Sequence, residues 1–429
     1  MNNTVNTSEA LSTSVTDVLT NGLQIQESII KVMGVGGGGC NAINYLYKQG
    51  ISDVSLLVCN TDKMSLDGSS VPSKLQLGTG LGVGGRPTLA KQYAEEDQER
   101  IREALNDGTK MLFITAGMGG GTGTGASPIV ASVAKELGIL TVGIVTIPFA
   151  FEGVKKINKA MEGVAELSAQ VDAILVINNE KLREIYPDLN LLNAFSKSDD
   201  VVANAARSIA EIITKPGYIN TDFTDVYNTL KDGGSAIMSV GTASGENRVA
   251  NAIHEALHSP LISTEVNGAT RLLLQIYCST EDAMVMSEID QIHDFVREVG
   301  DDVEVQWGAA IDDTLGGSVR VTIIATGFAQ SNIPSKEDDN HSQSIKKYYE
   351  KTPEAAAPGV STPEEDPIVE PLEDEQPTQI DLEVPSAADD PVVEVQPVDD
   401  DQVVIELDEE DFKDDRPGTL FSGWMRGRR

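Results

Sequence analysis

The chain has 429 residues, a formal net charge of −35 and three cysteines. That length allows two or three domains, and the acidic excess argues against a nucleic-acid binder, because phosphate backbones are held by Lys and Arg. Cys40, Cys59 and Cys278 are too few and too scattered for a disulfide framework, which fits a reducing compartment.

Residues 1–28 are rich in Asn, Ser and Thr and lack a basic cluster ahead of an apolar run. They read as a disordered leader and not as a secretory signal, and no later run is long enough to span a bilayer, so the protein reads as cytoplasmic. Apolar residues 29–33 lead into glycines, the pattern of a strand entering a loop. Residues 41–49 have helical spacing at Ile43, Leu46 and Tyr47, and 54–59 form a second strand. A glycine-rich stretch at 78–85, a helix over 87–106 and a strand over 111–115 follow. After a second glycine run come a helix over 126–137 and strands over 141–146 and 173–177. Strands alternating with helices predict a mostly parallel sheet covered on both faces.

A long helix over 201–214 carries Val202, Ala205, Ile209 and Ile212 on one side. Beyond it, strands over 236–240, 271–278, 303–309 and 319–326 with helices over 248–258 and 286–299 predict a second, smaller α/β domain. Between residues 331 and 429, 27 acidic residues face 9 basic ones, and 352–411 contains no Lys, Arg or aromatic residue. Such a stretch cannot bury enough apolar surface to offset its ordering entropy and is expected to be a disordered, self-repelling tail. At the end, Leu420, Phe421, Trp424 and Met425 precede Arg426, Arg428 and Arg429.

Two glycine runs carry the chemistry. Gly34-Val35-Gly36-Gly37-Gly38-Gly39 fits G-x-G-x-x-G between a strand and a helix, where backbone amides can approach a pyrophosphate. Read alone, it allows a dinucleotide oxidoreductase. Gly119-Gly120-Gly121-Thr122-Gly123-Thr124-Gly125 is more specific: its amides can form an anion nest, with the Thr122 and Thr124 hydroxyls as further donors. It has no Lys, so it is not a Walker loop. With Gly82, Gly84 and Gly85 as a third element, the pattern points to a triphosphate ringed by backbone amides.

GGGTGTG is the signature loop of the tubulin and FtsZ superfamily, and the flanking motifs resemble the bacterial cell-division GTPases of that family. They include Asn60-Thr61-Asp62, Phe113-Ile114-Thr115-Ala116-Gly117-Met118, Pro148-Phe149-Ala150-Phe151-Glu152-Gly153 and Asn220-Thr221-Asp222-Phe223-Thr224-Asp225. The resemblance runs from about residue 30 to 327. It implies a Rossmann-like GTPase domain (29–200), a central helix and connection (201–219), a C-terminal α/β domain (220–329), an acidic linker (330–411) and a partner-binding peptide (412–429).

The resemblance also assigns residues. GTP or GDP, with Mg2+, would be held by Gly36, Gly37, Gly38, Asn41, Asp62, Gly84, Gly85, Gly119, Gly120, Gly121, Thr122, Gly123 and Thr124. Glu152 would bind the ribose and Lys156 a phosphate. Asn179 and Asp200 would read the guanine edge, whose paired N–H donors suit a carboxylate, and Phe195 would stack on the base. Asn220, Asp222 and Asp225 would complete hydrolysis in the neighbouring subunit of a head-to-tail homopolymer. No protein metal site is implied. Residues 412–429 would bind a membrane-anchoring division adaptor, with membrane contact indirect or through the basic end, at a midcell ring. Lys156 stands where the family usually has Arg, which removes a bidentate fork, and Arg86 and Ile147 also replace commoner residues. A nucleotide-holding filament protein without hydrolysis is the other alternative.

His254-Glu255-Ala256-Leu257-His258 matches the zinc-protease motif H-E-x-x-H. It reads instead as a helix end, with Ser259-Pro260 stopping the helix and His258 near its negative pole.

Overall fold

The computed structural model describes residues 28–328, apart from 52, 216, 258–267 and 301. The expectations for the leader, the linker, the C-terminal peptide and His258 therefore lie outside the described residues.

Strands β1 (Ile30–Val35), β2 (Ser55–Asn60), β3 (Lys74–Gln76), β4 (Met111–Gly117), β5 (Leu140–Ile147), β6 (Ala173–Asn178) and β7 (Gly234–Ser235) form one sheet in the order β3-β2-β1-β4-β5-β6-β7. Every pairing in it is parallel. Alternation along the strands divides its side chains between two cores. Met33, Val35, Leu112 and Ile114 meet helices α4 (Gln98–Leu105), α5 (Thr122–Glu136) and α6 (Val154–Ser168) on one face. Ile30, Val32, Met111 and Phe113 meet α1 (Gly36–Lys48) and α8 (Leu191–Thr214) on the other. Two-sided cover explains why these strands read as continuous apolar runs.

The expected helix over 87–106 is two helices, α3 (Pro87–Glu96) and α4. They break at Asp97, whose carboxylate accepts the Gly78 amide proton at 2.6 Å and so ties the glycine-rich loop to the helix pair. The expected helix over 201–214 starts ten residues earlier, at Leu191, capped by the Asn190 side chain. Shorter helices α2 (Lys63–Asp67), α7 (Asn179–Ile185) and α9 (Phe223–Leu230) complete this part.

The second sheet has the order β10-β9-β11-β8, with β8 (Ile237–Ser244), β9 (Arg271–Cys278), β10 (Glu304–Ile311) and β11 (Ser318–Thr326). β9 and β10 are parallel, and β11 runs antiparallel to both its neighbours. Helices α10 (Arg248–Leu257) and α11 (Met286–Val299) cover one face, while Leu273 and Ile324 on the other join the core beneath α8. Buried Arg248 fastens α10 to α11: it donates to Glu288 and Asp282 at 2.7 Å and to the Gly317 carbonyl at 3.2 Å. A buried guanidinium is tolerated when its donors are satisfied in this way.

Candidate active site

The parallel strands all present their C-terminal ends to one side, so the loops that follow them collect there. Between β1 and β4 the chain order reverses, the position at which open α/β sheets hold ligands. A cleft of about 550 Å³ opens at this point. Its walls come from the starts of α1, α5 and α7, from the loop at 82–85, from residues 146–156 between the end of β5 and the start of α6, and from the first turns of α8.

The two glycine runs meet backbone to backbone in its floor. A Cβ on Gly36 would lie 2.6 Å from the Gly123 nitrogen, and one on Gly123 would lie 2.6 Å from the Gly117 carbonyl oxygen. Gly36 and Gly119 also have φ of +74° and +91°, a region that favours glycine. Helices α1 and α5 begin inside these runs, and their N-caps, Val35 and Gly121, supply no side-chain cap. Side chains cap α2, α7, α8 and α9 through Asp62, Asn178, Asn190 and Asp222, while α3, α4 and α6 also lack one, so what sets α1 and α5 apart is that their uncapped starts open into the cleft. The first amides of an uncapped helix need an acceptor, and a phosphate is one. Gly84, Gly85, Gly120 and Gly121 line the same cleft, and their amides find no acceptor among the described residues. This is a built anion site.

At the other end are Asn179, Phe195, Ser198 and Asp199. The Asn179 side-chain oxygen accepts the Ser198 hydroxyl at 2.7 Å, which fixes the direction of that amide. Phe195 stands edge-on to Phe149, with ring centroids 5.3 Å apart. Asp200, expected to read the base, does not line the cleft. It hydrogen-bonds Tyr45 beneath α8, and Asp199 takes the cleft-facing position. Adjacent helical residues point about 100° apart, which places Asp199 and not Asp200 on the cleft wall. Burial pushes the Asp199 carboxyl up to about 7, the Asp200 charge adds to this, and a hydrogen bond from Asn41 opposes it.

Residues 29–187 match the Tubulin/FtsZ family GTPase domain, and residues 234–329 match the FtsZ family C-terminal domain. The cell division protein FtsZ of Porphyromonas gingivalis is 52% identical over 306 residues, covering 70% of this chain and 67% of that protein. This chain belongs to the FtsZ family of tubulin-like GTPases. The Pseudomonas putida FtsZ is 44% identical over 333 residues, covering 76% of this chain and 83% of its own. Among solved structures, an empty FtsZ dimer from M. jannaschii superposes with a TM-score of 0.65 at 38% identity, covering 73% of this chain and 92% of that one. CetZ2 from Haloferax volcanii, at 20% identity and a TM-score of 0.60 over 71% of this chain and 94% of its own, shares the fold.

Of the residues that the FtsZ resemblance assigns to nucleotide, Gly37, Gly38, Asn41, Asp62, Gly84, Gly85, Gly120, Gly121, Thr122, Gly123, Glu152, Lys156, Asn179 and Phe195 line the cleft. Gly36, Gly119 and Thr124 brace the loops from behind. The Gly119 amide donates to the Thr124 hydroxyl at 2.9 Å, so that hydroxyl is engaged within its own loop. Glu152 accepts the Phe149 amide proton at 2.9 Å and forms an ion pair with Lys156. Sequence reasoning passed over Thr61, whose hydroxyl lies 2.7 Å from that of Thr122 and links the Asn60-Thr61-Asp62 turn to the glycine run. The motif was visible, but its contact with Thr122 spans 61 positions and needs the fold.

Asn220, Asp222 and Asp225 are not in the cleft. They lie past the far end of α8, and at 1.5 Å per residue the helix carries the chain about 29 Å from Phe195 to Thr214. There Asp222 accepts the Thr224 and Asp225 amide protons at 2.7 and 3.0 Å, and Asp225 accepts that of Asp222 at 3.0 Å. The Asn220 side chain accepts the Gly217 amide proton at 2.6 Å, and Ile219 bridges to Ala309 of β10. Asn220 and Asp222 are exposed on this hydrogen-bonded loop. In the H-E-x-x-H segment, Glu255 accepts the Thr242 amide proton at 2.8 Å, and no cluster of three metal-ligating side chains occurs among the described residues.

Proposed function

We propose that the cleft binds GTP and that hydrolysis is completed by the 220–225 loop of the next subunit in a head-to-tail filament. The chain is a tubulin-like cell-division GTPase. The supporting observation is a division of parts: the cleft offers unpaired amides at the starts of α1 and α5, whereas the loop with the candidate carboxylates follows the far end of α8, whose axis runs about 29 Å from Phe195 to Thr214, and lines no part of the cleft. A contact that joins two different surfaces does not close on itself, and it propagates as a filament. Two carboxylates brought to the terminal phosphate can orient and polarise a water, while the amides stabilise the transferring charge. Phosphate release per subunit should therefore rise sharply above a threshold protein concentration that coincides with sedimentation of polymer. A rate per subunit independent of concentration would contradict this.

Within the cleft we assign the guanine edge to Asp199 and Asn179, stacking to Phe195 and the ribose to Glu152. A carboxylate can accept two adjacent N–H groups only when ionised. With its free-state value at about 7, Asp199 carries a proton below that pH, and guanine must displace it. Affinity is then full above pH 7 and falls as pH drops through it. Between pH 8 and 6 the wild-type protein should lose about tenfold in GDP affinity beyond the loss shown by Asp199→Asn. Parallel pH profiles for the two proteins would remove the assignment. Mg2+ would neutralise phosphate charge when bound, held by phosphate oxygens and by Asp62, whose Oδ1 accepts the Met64 amide proton while Oδ2 is left for a ligand.

Residues 412–429 we assign to docking on a membrane-anchored division adaptor, with the acidic 330–411 stretch as an extended spacer, so that the ring forms on the cytoplasmic side at midcell. Equal adaptor recovery with and without 412–429 would refute that assignment.

A further inference from the structure

The third glycine loop of the cleft is held differently from the other two. Gly84 and Gly85 have φ of +55° and +70°, and a Cβ on either would meet nothing within 4 Å. Val83, just before them, is buried and packs on Gly121, but Gly84 and Gly85 themselves are not wedged against backbone in the way that Gly36 and Gly123 are. Beyond Val83 its fastenings are polar. The Arg86 amide and the Arg86 Nε both donate to the Val83 carbonyl at 3.2 Å, and Lys159 Nζ donates to the Gly85 carbonyl at 3.0 Å. Lys159 lies on α6, a helix that packs firmly against α5: a Cβ on Gly163 would lie 2.4 Å from the Thr124 methyl.

The ammonium group is also differently engaged from its neighbour. Lys156, one turn earlier, is paired with the Glu152 carboxylate. Lys159 has no carboxylate within ion-pair distance among the described residues, and it donates instead to a loop carbonyl. Holding that carbonyl outward leaves the Gly84 and Gly85 amides unpaired at the cleft wall, beside Gly121 at the start of α5. Two helix starts supply amides for two phosphates, and this loop is the surplus set that a third phosphate would use.

Resting on the reading of the cleft as a nucleotide site, we propose that Lys159 is a positioning residue for the terminal phosphate, which sets the preference for triphosphate over diphosphate by pre-ordering the Gly84–Gly85 amides. Without it the glycines regain conformational freedom, and the terminal phosphate must order them on binding. The diphosphate does not use them and is indifferent.

The test is a fluorescence titration of GTP and GDP below the assembly concentration, on the full chain and on Lys159→Met and Lys159→Arg. Lys159→Met should lower the GTP-over-GDP affinity ratio about fivefold, the scale of one exposed charge-assisted hydrogen bond. GDP affinity should stay at the wild-type value, which also reports that the variant is folded, and Lys159→Arg should restore the ratio. An unchanged ratio, or an equal loss for both nucleotides, overturns the role of Lys159 while leaving the cleft assignment intact. Failure of the wild-type chain to bind either nucleotide overturns both.

Discussion

Asp222→Asn should fold, bind GTP normally and hydrolyse it at least about a hundredfold more slowly than wild type, the scale on which a positioned acid–base group acts. The choice of Asn separates two roles. Asp222 accepts the Thr224 and Asp225 amide protons and so caps α9, and Asn caps a helix about as well as Asp. The substitution keeps the cap and removes the charge. Asp222→Ala removes both, and its loss of cap should destabilise the protein by about 1 kcal/mol. Phosphate release, thermal unfolding and bound-nucleotide content measured on both variants distinguish the cases. An Asn variant with wild-type turnover would reduce Asp222 to a helix cap.

Gly120→Asp should abolish nucleotide binding in a folded protein, whereas Gly125→Ala should damage the fold itself. The two glycines lie in one run but do different work. A Cβ on Gly120 meets nothing within 4 Å, so a side chain is accommodated there, and its carboxylate would occupy the anion site. One unit negative charge set against a phosphate in a poorly solvated cleft costs several kcal/mol, or roughly a thousandfold in affinity. A Cβ on Gly125 would lie 2.0 Å from the Pro87 carbonyl oxygen, where α3 crosses α5. Relief requires backbone movement, and overpacking of this kind costs about 1–3 kcal/mol. Denaturant unfolding and GDP titration of the pair should therefore give opposite profiles. A Gly120→Asp protein that still binds GDP tightly would remove the phosphates from this floor.

The strands of the large sheet were legible because burial on two faces leaves them apolar throughout, as in β1 and β4. β3 and β7 were not, since strands of three and two residues carry no pattern and exist through pairing with neighbours. Helix α6 escaped notice although Ile157, Ala160, Met161, Val164 and Leu167 recur at helical spacing and are buried, so that signal was present. The first ten residues of α8 had none: Leu192, Asn193, Phe195 and Ser196 are exposed because this stretch forms the rim of the cleft. At the site, the glycine runs could be read because loops that admit phosphate need residues without Cβ at particular positions. That Asp199 lines the cleft while Asp200 hydrogen-bonds Tyr45 depends on the phase of a helix whose start the sequence did not mark. The family resemblance already implied that Asp222 acts in a neighbouring subunit, and α8, which runs from the cleft to the turn before Asp222 and so separates the two, is its physical reason.

That separation is the central claim, and mixing two inactive proteins tests it. Asp222→Asn keeps an intact cleft and lacks the acidic group. Gly120→Asp keeps the loop and cannot hold nucleotide. If the active site is shared between neighbours, an interface formed by the cleft of the first and the loop of the second is complete. GTP hydrolysis by the mixture should then exceed the sum of the two proteins alone and peak near equal proportions. A rate equal to that sum at every ratio and concentration would mean that each chain carries its whole active site, contrary to this account.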